Sequence, residues 1–173
     1  MIEPFDFIPR RLTETYRLAA QWSDDPSTQN GAILCGKKGL MLSTGVNTLP
    51  RGVKVTADRT IAPIKYSYME HAERNAIYAA ARAGKSVENT TLYAAWAACT
   101  DCARAIIQSG VKVVIRHQSP FAPEVTEEWA ESIRIADEMM SEAGVILSSY
   151  KHPLPKAPNV LRHGKVWSPS RSE

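Results

Sequence analysis

Residues 91–115 constrain the fold more tightly than any other part of the chain. They read as a buried strand over 91–97, a helix over 99–108 stopped by Gly110, and a second buried strand over 111–115. Two apolar strands joined through a helix make a βαβ unit, which requires parallel neighbouring strands with helices covering the sheet. The remaining pattern fits around it. Leu12, Tyr16, Leu18, Ala19 and Trp22 recur at helical spacing, so residues 9–22 form a first helix. Residues 31–35 and 40–44 read as a hairpin around Gly36-Lys37-Lys38-Gly39, and an irregular segment holding Pro50, Gly52 and Pro63 follows over 46–68. An alanine-rich helix over 71–83 ends at Gly84, a further helix spans 124–143, and a last strand runs over 144–147. The expected fold is an α/β three-layer α/β/α sandwich with a mixed sheet of about five strands, its parallel strands at the later end.

The 173 residues suffice for one domain, placed at 1–150, with 151–173 as a basic, proline-containing tail of little regular structure. Hydrophobic residues make up 44% and charged residues 23%, which excludes a disordered or collagen-like chain. The net charge of +3 is uneven: residues 151–173 carry five Lys or Arg against one Glu, and the first 150 carry 16 against 17. The body is not basic, so duplex nucleic acid is not an expected partner, and the tail reads as a solvated terminus. No apolar run approaches the roughly 18 residues of a membrane span, and Met1-Ile2-Glu3-Pro4 lacks the order of a secretion signal. No membrane partner and a cytoplasmic location are therefore expected. Three cysteines are too few and too odd a number for a disulfide framework.

His71, Glu73, Cys99 and Cys102 carry the chemistry. Two thiolates and an imidazole are a donor set that zinc prefers, and three protein ligands leave a fourth tetrahedral position for water. Cys99 and Cys102 lie about 60° apart around a helix, and at its first turn both sulfurs point past the end, where the helix dipole favours thiolate. His71 and Glu73 are about 200° apart around a regular helix, so the pair must straddle a helix start. A Cys-x-x-Cys alone also fits a redox pair or half of a closed structural zinc site, whose fourth ligand would come from Cys35, His117, His152 or His163. Cys35, in an apolar strand, reads as a buried small hydrophobe.

The string His71-Ala72-Glu73 followed by Cys99-Thr100-Asp101-Cys102 resembles the His-x-Glu and Pro-Cys-x-x-Cys signature of the zinc-dependent cytidine deaminase superfamily. Further blocks resemble its deoxycytidylate deaminase branch: Asp25-Pro26-Ser27-Thr28-Gln29 with Gly31-Ala32, Gly45-Val46-Asn47 with Pro50-Arg51-Gly52, Lys65-Tyr66, Leu92-Tyr93, and Ile106-Ile107-Gln108-Ser109-Gly110-Val111. The resemblance covers roughly residues 10–118. Two positions depart from it: the proline before the first cysteine is Ala98 here, and the glycine after the loop asparagine is Thr48. The second falls where many members bind allosteric nucleotides, so the resemblance does not carry triphosphate regulation over. Trp96 sits where polynucleotide cytidine deaminases carry a tryptophan and is an expected pocket wall.

What the resemblance implies is a catalytic domain over 1–150 holding one Zn2+ through His71, Cys99 and Cys102. Glu73 would take a proton from zinc-bound water, deliver it to the ring nitrogen and assist loss of ammonia, converting dCMP to dUMP. Asn47, Ala72 and Thr28 resemble groups that orient base and sugar, and the family's habit implies a homo-oligomer. Arg51, Lys54 and Lys65 are the cationic candidates for the substrate phosphate. Two other functions remain open at this point: deamination of another amino-heterocycle, and a catalytically silent zinc module that binds nucleotides.

Overall fold

The computed structural model describes residues 7–119, 122 and 125–171. Its helices are α1 (Phe7–Trp22), α2 (Ala57–Thr60), α3 (Lys65–Tyr68), α4 (Ala72–Arg82), α5 (Thr100–Gln108) and α6 (Glu127–Glu142). Its strands are β1 (Gly31–Cys35), β2 (Met41–Val46), β3 (Thr91–Ala94), β4 (Val113–His117), β5 (Ile146–Tyr150), β6 (Val160–Arg162) and β7 (Lys165–Trp167). Five of them form one sheet in the order β2-β1-β3-β4-β5. The expected hairpin is present, with β1 antiparallel to both β2 and β3, whereas β3, β4 and β5 run parallel. The sheet is mixed, and its parallel half lies at the later end, as the βαβ pattern requires.

Strand alternation divides the core in two. Ala32, Leu34, Leu92 and Val114 face α4, α5 and α6, where Ala72, Ala76, Ala80, Ala103, Ile106 and Met140 meet them. Ile33, Cys35, Tyr93 and Ile115 face the other way, onto Leu12, Tyr16 and Ala19 of α1. This is the three-layer sandwich. Small residues let α4 approach β2 very closely: a Cβ on Gly45 would lie 2.1 Å from the Ala72 carbonyl oxygen and 2.4 Å from the Ala76 nitrogen.

Several boundaries differ from the sequence expectation, each for a local reason. β3 ends at Ala94 rather than 97, because the chain there leaves the sheet to enter α5. β4 starts at Val113 rather than 111: the N–H groups of Gly110 and Val111 are spent on Ile107 and Ile106 carbonyls, a helix stop with Gly110 at φ 80°. Gly144 closes α6 in the same way, so β5 begins at Ile146 and runs to Tyr150. α6 starts at Glu127 under a Thr126 cap, and Glu124, the expected start, lies outside the described residues. The segment over 46–68 is not wholly irregular but holds the single turns α2 and α3. Trp22, expected on the core side of α1, is 62% exposed.

The largest correction concerns the tail. β6 and β7 form an antiparallel hairpin, and Leu154, Ala157, Val160 and Trp167 complete the core beneath α1. Four prolines in the composition concealed apolar residues that land on the sheet face α1 leaves open. Nor is the segment simply a solvated terminus, since Arg162 is 3% exposed. Among the described residues, no helix is long and apolar enough to cross a membrane.

Candidate metal centre and active site

Two helix starts meet at one point. His71 and Cys99 occupy the N-cap positions of α4 and α5, both with extended backbone (φ −79°, ψ 155° and φ −82°, ψ 175°). An extended cap turns the side chain out of the helical path, which resolves the two-residue spacing of His71 and Glu73: one precedes the helix and the other stands in its first turn. His71 Nδ1 lies 3.4 Å from Cys99 Sγ and 3.5 Å from Cys102 Sγ. All three ligand atoms fall within 4.8 Å of one another. Bond lengths for zinc to nitrogen and sulfur give a tetrahedral N···S edge of about 3.6 Å, so the donors sit at the separation that ion needs. The residues fit the metal.

The surroundings favour an anionic Cys99 and set a cation beside Cys102. Arg74 Nη1 is 3.8 Å from Cys102 Sγ, and the guanidinium is anchored by Glu70 and lies 3.6 Å from Asp101 Oδ2. A hydrogen bond from Cys102, followed by those from His71, brings the Cys99 thiol down to about 3, while the same pairing pushes Cys102 well up. The Trp129 ring of α6 covers His71, with centroids 6.0 Å apart.

Glu73 is 1% exposed, a carboxyl with almost no contact with water. Its Oε1 accepts from Asn30 Nδ2 at 3.3 Å, and its Oε2 accepts from the Cys102 thiol at 3.6 Å. Burial raises its pKa, against the opposing pull of His71. A buried carboxyl whose hold on its proton is strengthened in this way is suited to taking and returning a proton, which is what general acid–base work requires.

His71, Cys99 and Glu73 open into a pocket that Thr28, Asn47 and Trp96 also line, with Cys102 buried behind them. Ala72 is not on its wall. Its N–H donates to Asn47 Oδ1 at 3.0 Å, and Asn47 Nδ2 donates to the Thr28 carbonyl at 2.8 Å. Two groups expected to face substrate are thus each other's partners, tying the 25–30 loop to the start of α4. Of the cationic candidates, only Lys65 lines the pocket, and it is committed to both oxygens of a buried Asp25 at 3.0 Å. Arg51 borders a separate groove along β2 and α4, and Lys54 is not on the pocket wall.

None of the alternative fourth ligands joins the cluster among the described residues, although His163 lies on the pocket wall. Cys35 belongs to the α1-side core, and His117 bonds Tyr16 Oη at 2.7 Å and the His152 carbonyl at 3.1 Å. Among the described residues, the metal-ligand cluster is three-membered. Thr48, where the family glycine is absent, pairs its backbone with Glu70 and donates its hydroxyl to Asp24, so it braces the residue before His71. Sequence reasoning missed Asn30, the Asp25–Lys65 pair, and Trp129 and His163 on the pocket wall. Trp129 was visible only as part of a helical stripe.

Residues 9–118 match the family described as cytidine and deoxycytidylate deaminase zinc-binding region. The chain belongs to the cytidine and deoxycytidylate deaminase family. A relative in Aliivibrio fischeri, an uncharacterized deaminase in the luxG 3′ region, is 37% identical over 140 residues, covering 79% of this chain and 88% of that protein. Mouse deoxycytidylate deaminase is 37% identical over 105 residues, 57% of each chain, so this protein matches little more than half the length of that relative. Among solved structures, the cyanophage S-TIM5 dCMP deaminase in complex with dCMP and dUMP superposes with a TM-score of 0.63 at 26% identity, over 87% of this chain and all of that one. The family's zinc-binding region contains His71, Cys99 and Cys102, whereas the β6–β7 hairpin lies beyond it.

Proposed function

We propose that this family member is a zinc-dependent hydrolase that converts dCMP to dUMP with release of ammonia. The observation that carries the reading is a fully buried carboxyl, Glu73, beside a three-ligand centre that opens into a pocket. A structural zinc site has no use for such a group. Family membership and the deoxycytidylate deaminases among its relatives support cytosine nucleotide as the substrate. Zinc held by His71, Cys99 and Cys102 supplies Lewis-acid activation of water, bringing its pKa to about 7.

The chain's own groups do the rest. Glu73 takes a proton from the attacking water, passes it to the ring nitrogen beside the reacting carbon, and then moves a proton to the departing amine. Asn30 holds one oxygen of that carboxyl in place. Thr28 and Asn47 line the space where base and sugar lie, and Trp96 and Trp129 supply flat apolar walls for the ring. The three reduced cysteines fit a cytoplasmic enzyme of the nucleotide pool. Exposed Trp22, Met41 and Tyr78 around the edge strand β2 fit a homo-oligomer.

The test is ammonia release by the zinc-loaded protein from dCMP, deoxycytidine, CMP, guanine and a short cytosine-containing single strand. Turnover of dCMP that Glu73→Ala abolishes, with one zinc per chain still bound, is the expected result. Silence on every cytosine compound overturns the reading; turnover of guanine alone moves it to another amino-heterocycle.

A further inference from the structure

The β6–β7 hairpin holds both sides of the pocket. Leu161 accepts from the Gln29 N–H and donates to Gln29 Oε1, each at 2.9 Å, and Gly164 N–H reaches the Ser27 carbonyl at 2.9 Å. On the opposite side Arg162 Nη2 donates to the Ala95 carbonyl at 2.9 Å, with its guanidinium 3.2 Å over the Trp96 ring. Ser27 and Trp96 are pocket-lining residues, so the hairpin bridges two of its walls. Its two-residue loop is His163-Gly164, both at positive φ (51° and 74°) as a type I′ turn requires, which fixes the tip firmly.

That tip places the His163 imidazole on the pocket wall, edge-on to Trp96 at 5.8 Å. It has no hydrogen bond or ion pair among the described residues, although it lies in a positive field. Arg162 behind it has no carboxylate partner among those residues, and its Nε is buried without a hydrogen bond. Lys65, ion-paired with Asp25, adds a weaker positive charge on the same pocket wall. Burial and these two cations hold the imidazole below its ordinary value. Of the pocket's basic side chains, His71 serves the metal and Lys65 serves Asp25, which leaves His163. The imidazole is exposed at the mouth, while Glu73 lies in the interior. A nucleotide entering base-first would leave its phosphate outermost.

We propose that His163 is the phosphate-recognition residue of this pocket, presented by the C-terminal hairpin and backed by the uncompensated charge of Arg162, so that the site selects a nucleotide 5′-phosphate over a nucleoside. This rests on the cytosine-nucleotide reading above and adds the feature that decides between nucleotide and nucleoside.

His163→Asn tests it, because a short amide side chain suits the left-handed backbone and preserves the turn. Loss of a charge-assisted hydrogen bond is worth roughly 10- to 100-fold. The variant is expected to raise KM for dCMP by that factor with kcat little changed, to weaken calorimetric binding of dUMP equally, and to leave deoxycytidine turnover and the melting temperature unaltered. An equal loss on dCMP and deoxycytidine, or no loss on either ligand pair, overturns the proposal. Weakened dUMP binding in a protein that deaminates no cytosine compound would support the phosphate site and sink the deaminase reading instead.

Discussion

Asn30 donates to the Glu73 oxygen that does not face Cys102. Once Cys102 serves as a thiolate ligand it has no proton to donate, and the Asn30 amide is then the remaining side-chain donor to Glu73 among the described residues. Asn30→Ala is therefore expected to lower kcat about 10-fold, the value of one hydrogen bond to a charged group, while KM and zinc content stay unchanged. Steady-state kinetics beside metal analysis checks this. The same residue marks the limit of sequence reading. His71, Glu73, Cys99 and Cys102 were legible because helix-start geometry is local: each pair spans at most three positions, and the spacing of His71 and Glu73 alone required a helix start between them, while the capping place of Cys99 was not foreseen. Asn30 meets Glu73 across 43 positions and Lys65 meets Asp25 across 40, through loops whose paths no short-range period records. Asn47 and Ala72, both expected to orient base and sugar, instead bond each other, since a buried N–H must find an acceptor.

At the scale of elements, the alternation of apolar residues gave helices and strands, and glycine stops decided where α4, α5 and α6 ended. What the pattern could not convey was the C-terminal hairpin. Its strands are three residues each, too short for any periodicity, and they earn their place by covering Tyr16 and Trp96. The β2–α4 contact is the element-scale feature most sensitive to change. Gly45→Ala would drive a methyl group into the Ala72 carbonyl and the Ala76 nitrogen, both backbone atoms that cannot swing aside. The expected cost exceeds about 3 kcal/mol. Because α4 carries His71 at its entrance, the variant should also bind less than one zinc per chain. Urea unfolding and metal analysis of the same preparation measure both effects.

Across the whole molecule, the side of the sheet opposite the metal centre carries its own polar cluster of Tyr16, His117 and Arg162. Burial, with Arg162 nearby, holds the His117 imidazole down to about 4, although its bond to the His152 carbonyl opposes this. The unfolded chain takes up that proton near pH 6.5, so between about 6.5 and 4 it binds more protons than the folded one. Stability should fall as pH drops through this window, by on the order of 3 kcal/mol, and level off below it. Urea midpoints from pH 7 to pH 4 test the slope, which His117→Gln should flatten. The metal ligands have a different reach. His71 is 28 positions from Cys99 and 31 from Cys102, and each group enters a separate helix. An ion there acts as a latch between two crossovers, so neither α4 nor α5 can open without releasing it. Amide hydrogens of the two helices should then exchange with solvent at one common rate in the zinc-loaded protein. After chelation they should separate into two rates, the metal having turned two neighbouring helices into one cooperative unit.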